Sequence, residues 1–254
     1  MNEREIIVEL RGLGRKKRRS LKDEYEWILR DVNLKVPSGD RLAIIGPSGS
    51  GKTTLLRMMA DLEPYNEGEI FFNGKNLIEI EPTEYRKNIG FVQQAPSLFE
   101  GSVADNIRYG PALAGENITD DKVEHLLDLV GLASSIISSK SDSLSIGQIQ
   151  RVAIARALST GPNILMMDEP TSALDIKTAK KIANLVKRLA IELDLTVVMI
   201  LHDLALVRGF ALDVAFIANG TLIEVSEAKD FFINPPPEFI EQIGMLKSGD
   251  DCHE

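Results

Sequence analysis

The period of the apolar and polar positions changes several times along the chain, and each change marks an element. "EIIVEL" at 5–10 and "VNLKV" at 32–36 alternate with period two and predict half-buried strands. "RLAII" at 41–45 is apolar throughout after its Arg, which predicts a strand covered on both faces. It enters a glycine-rich turn and then "KTTLLRMMADL", a helix. "GEIFFNG" at 68–74 predicts a short strand closed by a turn, "PTEYRKN" at 82–88 a helical turn opened by Pro, and "IGFV" at 89–92 another strand. From about Ser97 to Asp142 the strand signals vanish. Within that stretch "TDDKVEHLLDLVGL" at 119–132 carries Val123, Leu126, Leu127 and Val130 at helical spacing, with His125 an ordinary residue of the same helix. Alternation of strand and helix then resumes through strand "NILMMDE", helix "IKTAKKIANLVKRLAIELD", strand "TVVMIL", helix "LALVRGF" and strands "VAFIANG" and "TLIEV". In the long helix Ile182, Val186, Leu189 and Leu193 form the apolar stripe, and Lys180, Lys181 and Lys187 the wet one. "FFINPPPEFIEQIG" predicts a helix, a proline stop and another short helix.

This pattern predicts an α/β protein with a helical insertion over 97–142. A length of 254 residues suits one large domain, or a domain with an inserted subdomain. Lys and Arg number 29 against 38 Asp and Glu, a net charge of −9, which argues against a broad nucleic-acid surface. The one basic cluster, "RKKRR" at 15–19, reads as a solvated loop. The single cysteine, Cys252 in "KSGDDCHE", excludes an intrachain disulfide and fits a reducing compartment; His253 beside it reads as tail. The longest apolar run, "LTVVMIL" at 195–201, is far too short to span a membrane, and "MNEREIIVEL" lacks a signal-peptide core. No internal repeat is visible.

The chemistry concentrates at turns that follow predicted strands. "GPSGSGKTT" at 46–54 fits G-x-x-x-x-G-K-[ST] between a buried strand and a helix. Its residues Gly46, Pro47, Ser48, Gly49, Ser50, Gly51, Lys52, Thr53 and Thr54 would cradle phosphates with inward-turned N–H groups. The helix start adds about half a unit of positive charge. Lys52 can reach the β- and γ-phosphates, and the Thr53 hydroxyl can ligate Mg²⁺. "NILMMDEP" ends a strand in two carboxylates: Asp168, placed to hold Mg²⁺, and Glu169, placed to deprotonate an attacking water. "MILHD" repeats the geometry with His202 as a polar sensor of the γ-phosphate. A second anion site is written in "SDSLSIGQIQRVAIARAL" at 141–158. Ser145 and Gln148 form a capping box, and Gly147 leaves the helix start open to close approach.

"LSIGQIQR" resembles the LSGGQ signature of ATP-binding-cassette (ABC) ATPases, and the family's other motifs follow in its order. "GPSGSGKTT" matches Walker A, "GFVQQAP" with Gln94 the Q-loop, "ILMMDEP" Walker B, "SALD" the D-loop and His202 the switch histidine, over roughly residues 5–226. The resemblance implies a P-loop NTPase of ABC type: a mostly parallel core sheet with an antiparallel β subdomain and an inserted helical subdomain. Residues 1–254 would form a single ABC ATPase domain, with the α/β core and β subdomain over 5–96 and 143–226, the helical insertion over 97–142, and C-terminal helices with a polar tail over 227–254. It implies ATP and Mg²⁺ as cofactors, with Thr53, Gln94 and Asp168 on the metal and Glu169, His202 and Gln94 in catalysis. It also implies a head-to-tail dimer, in which Ser145, Gly147 and Gln148 bind the γ-phosphate held by the other copy and Asp175 lies along the shared interface.

Two departures from the family pattern stand out. The signature's first glycine is Ile146, and no aromatic occupies the usual adenine-stacking place near the basic loop, for which Tyr25 and Trp27 are the substitutes. Members normally drive a separate integral membrane permease, so the expected setting is the cytoplasmic face of a membrane, reached through that partner. A solute-binding protein is a further partner, and nucleic acid is not. Leu98, Phe99 and Val103 in "QAPSLFEGSVADNIRYG" would receive the permease's coupling helix. The motifs look most like those of phosphate-import ATPases and of the ATPases of small export-type permeases linked to metal tolerance. A soluble ABC ATPase such as an iron–sulfur assembly factor is the alternative.

Overall fold

The computed structural model describes residues 4–18 and 25–241, so Arg19, Cys252, His253 and the polar tail lie outside the described residues. The chain divides into two compact units, one of residues up to 80 together with those from 200 onward, the other of residues 81–199.

In the first unit β1 (Ile6–Arg18) pairs antiparallel with β2 (Tyr25–Pro37), and on its other side with β4 (Glu67–Phe72). The two-residue β5 (Lys75–Asn76) completes the sheet in the order β2-β1-β4-β5. Period-two alternation buries Val8 and Leu10 of β1 together with Leu34 and Val36 of β2. Both strands run well beyond the stretches that alternate cleanly. The basic cluster is therefore strand over Arg15–Arg18, not loop, because acids from neighbouring segments meet it: Lys16 Nζ lies 2.7 Å from Glu67 Oε1 and Arg15 Nε 3.3 Å from Glu63 Oε1. Lys16 also sits 4.1 Å over the Trp27 ring, and Gly14 leaves that ring space that a Cβ would take, 2.8 Å from it. Trp27 is thus packed into the ribbon, while Tyr25 is 61% exposed at its end.

Between the ribbon and β4, β3 (Arg41–Ile45) leads through the glycine loop into α1 (Lys52–Met59). The second unit opens with α2 (Pro82–Lys87) and β6 (Ile89–Val92), followed by α3 (Val103–Leu113), α4 (Asp120–Leu129) and α5 (Ile146–Leu158). It continues through β7 (Ile164–Met167) and α6 (Ile176–Glu192) to β8 (Thr196–Ile200), where the chain returns to the first unit. There α7 (Leu204–Phe210), β9 (Asp213–Ala218), β10 (Thr221–Glu227) and α8 (Ala228–Ile233) follow, and from the last of the three prolines residues 237–241 are helical.

In the second unit β6, β7 and β8 run parallel, with Ile89↔Ile164 and Met167↔Met199 in register. All four residues of β7 are buried, as a strand covered on both faces requires. Helix α3 has no clear signal in the sequence because Pro111 interrupts its pattern. It forms because a capping box of Ser102 and Asp105 starts it and Pro111 falls only in its last turns. As the first residue of α3, Val103 is fully buried, which removes it from the expected docking set; Phe99 is 47% exposed and Leu98 half-buried. Buried Asn106 fixes that loop by accepting the Phe99 N–H at 2.8 Å and donating to the Phe99 carbonyl at 3.0 Å. Helix α4 ends on arginines from two other helices: Arg151 donates to the Val130 and Gly131 carbonyls, and Arg188 to Leu129 O. Leu193 is the C-cap of α6 and exposed, so the buried stripe runs through Ile182, Val186 and Leu189 and is widened by Leu185.

In the first unit β9 lies parallel to β3, with Leu42↔Asp213 in register, and antiparallel to β10. This pairing sets two carboxylates side by side. Asp40, fully buried, leads into β3, and Asp213 opens β9. Arg4 reaches both, at 3.8 and 3.4 Å. Asp40 Oδ1 accepts the Arg41 N–H at 2.7 Å, while buried Oδ2 has no hydrogen-bond partner among the described residues. Burial, and then the charge of Asp213, push the Asp40 carboxyl up to about 7, only partly opposed by the Arg41 N–H and then by Arg4. An acid whose folded pKa is raised stabilises the fold at low pH and loses that contribution as pH rises through the folded value. Unfolding free energy should therefore fall between pH 4 and 7 by up to about 1.4 kcal/mol per pH unit. Asp40→Asn should flatten this slope in urea titrations across that range; an unchanged slope would assign the titration elsewhere.

Candidate active site

The loop after β3 is shaped by backbone that only glycine can adopt. Gly46 has φ +151, and a Cβ there would fall 2.0 Å from the Ile217 carbonyl oxygen of β9. Gly51, at φ +101, is the N-cap of α1 and, lacking a side chain, places no capping group over the start of the helix. Lys52 is buried to 5% exposure, and its Nζ donates to Gly46 O at 3.0 Å and Pro47 O at 2.8 Å. An ammonium curled under its own loop is placed to exchange those carbonyls for phosphate oxygens. Ser50 is buried with its hydroxyl unpaired among the described residues, and Thr53 and Thr54 lie half-buried in the first turn. His202, exposed just after β8, lines a cleft of about 700 Å³ with Gly46, Pro47 and Ser48. The short helical turn 237–241 adds Glu238 and Glu241 to the same cleft; nothing in their sequence context pointed to it.

In the second unit the strand end after β7 holds Asp168, 3% exposed, and then Glu169, whose φ of +46 is a left-handed conformation. For a non-glycine residue this costs roughly 1–2 kcal/mol, and it is found here at a predicted catalytic position. The strained carboxylate is met by Gln94, whose Nε2 donates to Glu169 Oε2 at 2.8 Å and lies 3.4 Å from Ser172 Oγ. Ser172 was not singled out in the sequence; only its place in "EPTSALD" beside the acids hinted at it.

The capping box at the start of α5 forms as read. Ser145 Oγ accepts the Gln148 N–H, and Gln148 Oε1 accepts the Ser145 N–H at 2.9 Å. A Cβ built on Gly147 would meet only Thr178 Cγ2, at an ordinary 3.6 Å. Nothing among the described residues therefore requires glycine there. Ile146 is 64% exposed. Asp175 caps α6, accepting the Lys177 and Thr178 N–H groups and the Thr178 hydroxyl at 2.6 Å, bonds that hold its carboxyl below the usual range. The structure thus gathers Gly46, Pro47, Ser48 and His202 around one cleft, and Gln94 and Glu169 into one contact.

A buried strand, a glycine-turned loop and a helix start with a buried lysine define a P-loop nucleotide-binding protein. The sequence model of the family described as "ABC transporter" matches residues 29–172, and the chain belongs to that family as a nucleotide-binding domain. It is 40% identical over 228 residues to Protein STAR1 of Oryza sativa subsp. japonica, covering 87% of this chain and 65% of that protein. It is also 40% identical over 230 residues to the methionine import ATP-binding protein MetN of Clostridium acetobutylicum, covering 88% and 71%. Among solved structures, the dimeric post-hydrolysis state of the ATP-binding cassette MJ0796 bound to ADP and Pi matches with a TM-score of 0.78 at 31% identity, over 87% of this chain and 99% of that one. The chain therefore spans about two thirds of the length of these curated relatives and nearly all of the solved cassette.

The geometry separates folding from function at the start of α5. Ser145→Ala should cost about 1 kcal/mol in denaturant unfolding, the usual value of an N-cap. Gly147→Ala should leave stability unchanged or raise it by up to about 1 kcal/mol, since the added methyl has room and alanine favours helix.

Proposed function

We propose that the chain is the ATP-hydrolysing subunit of an ABC transporter, working as a head-to-tail pair and driving solute movement through a separate integral membrane permease. The observation that carries this reading is the start of α5, where a capping box fixes the first turn and Gly147 leaves room beside it that nothing among the described residues fills, so that a phosphate from another chain can approach. The dimeric, ADP- and phosphate-bound state of the similar solved cassette supports the pairing.

ATP phosphates would lie on the loop 46–54, with Lys52 exchanging its two carbonyl contacts for the β- and γ-phosphates. Oxygen donors of the kind Mg²⁺ takes are present in the Asp168 carboxylate, the Gln94 amide and the Thr53 hydroxyl. When bound, the ion supplies neutralisation of charge on the phosphates. Glu169 takes the proton of the attacking water, its left-handed backbone setting the direction in which the side chain leaves the strand end. His202 donates to the γ-phosphate. Ser145, Gly147 and Gln148 close over the phosphate held by the partner copy, and Asp175 stiffens the turn at that interface. Charge developing between two such sets of donors is stabilised without reorganisation.

Partner docking belongs to a groove of about 470 Å³ between α2, β6, α3 and α5. Phe99 and Tyr109 stack in it at 4.3 Å, and its charged lining residues are Arg86, Lys87 and Arg156. Such a surface suits a short permease helix with apolar and acidic positions. Among the described residues no helix is long and apolar enough to cross a membrane. The chain would reach the cytoplasmic face of its membrane through this groove, and a solute-binding protein completes the assembly if the cargo is imported, as the MetN relative's name describes for methionine.

Glu169→Gln should keep ATP binding and lose roughly 10²–10⁴ in turnover. The pairing is tested by mixing two defective chains, Lys52→Ala and Ser145→Arg. Each alone should lose at least about 10² in rate. A mixed dimer has one doubly damaged site and one intact site, so activity should return in part and rise with protein concentration. A mixture that stays inactive while cross-linking reports mixed dimers would count against action across the interface.

A further inference from the structure

The contact between Gln94, Glu169 and Ser172 does more than join two motifs. A glutamine amide has a donating end and an accepting end, and only the oxygen can ligate a cation. Here the nitrogen faces inward, donating to Glu169 Oε2 at 2.8 Å and lying 3.4 Å from Ser172 Oγ. A flipped amide would set its oxygen against a carboxylate oxygen. Ser172 selects the same orientation by separate means. Its hydroxyl proton goes to the Glu169 carbonyl at 3.1 Å, and its own N–H closes the turn on that carbonyl at 3.2 Å. With its proton committed, the hydroxyl can offer Gln94 only a lone pair.

We propose that Ser172 is a positioning residue that fixes the Gln94 amide with its nitrogen inward and its oxygen outward, presenting that oxygen to the divalent cation that accompanies the nucleotide. The proposal rests on the reading of Gln94 as a metal ligand and Glu169 as the base. The two acceptors are not redundant. Glu169 must release Gln94 when its carboxylate turns to the attacking water, whereas Ser172 is anchored on backbone and can stay. At that moment Ser172 alone keeps the amide from flipping.

The test measures how strongly the purified chain binds a fluorescent non-hydrolysable ATP analogue, once with saturating Mg²⁺ and once with EDTA. The ratio of the two affinities is the gain conferred by the metal. Ser172→Ala should shrink that gain about tenfold, as loss of an outer hydrogen bond to a ligating group does. It should also raise the Mg²⁺ concentration for half-maximal ATPase by a similar factor, with a smaller change in kcat. Ser172→Thr keeps the hydroxyl and should restore both. Affinity in EDTA reports whether the cassette is folded and binds nucleotide at all, so a structural defect shows there first. If Ser172→Ala keeps the full gain, or Ser172→Thr fails to restore it while binding in EDTA is intact, the positioning role is wrong. If Gln94→Ala also keeps the full gain, Gln94 is no metal ligand, and the proposal falls with the reading beneath it.

Discussion

The first turn of a helix carries N–H groups that no residue of that helix can accept, and this chain places three such turns where its chemistry lies. They are treated differently. Helix α1 begins on Gly51 and has no side-chain cap, so its start lies bare beside Lys52. Helices α5 and α6 begin on Ser145 and Asp175, each bonded to the turn it starts. The uncapped start suits a phosphate held for many contacts at once. The capped starts are rigid before any ligand arrives, which suits surfaces that must meet a second body in one orientation. Buried strands ahead of the loop at 46 and of the acids at 168 supply the aim: β3 and β7 are covered by core and cannot shift without opening it.

Much of this was legible in sequence because the motifs are made of residues whose backbone needs are unusual. Gly46 is fixed by a carbonyl that would collide with any side chain, and the capping box is written in two letters three residues apart. Continuous apolar runs located β3, β7 and β8 for the same reason: strands covered on both faces need no alternation. What escaped the sequence was set by distant partners. The basic stretch from Arg15 became strand because Glu63 and Glu67 come from elsewhere to meet it. Helix α3 was hidden by Pro111 and revealed only by its cap. Ser172 gained its meaning from Gln94, more than seventy positions earlier. A period cannot report contacts of that kind.

Charge is handled locally in a chain of net −9. Phe99 lies 5.1 Å from the Arg156 guanidinium, which burial holds below its ordinary pKa, and Arg151 and Arg188 spend their donors on the carbonyls that end α4. Arg156 thus lines the groove, whereas Arg151 and Arg188 tie the end of α4 to α5 and α6. A partner that approached this face would meet in Arg156 a cation already packed against Phe99, with little side-chain entropy left to lose.

The aromatic cluster of Phe216, Phe231 and Phe239 bears on how the protein can be handled at the bench. Phe216 precedes Ile217, whose carbonyl crowds Gly46, and Phe239 meets Phe216 edge-on with ring centroids 5.4 Å apart. The polypeptide near its C-terminal end thus leans on the strand that shapes the phosphate loop. A shortened version cut before residue 239 would strip one wall from that strand and loosen the loop from behind. Affinity handles, fluorophores and fusion partners belong beyond residue 241, where they leave the cluster whole.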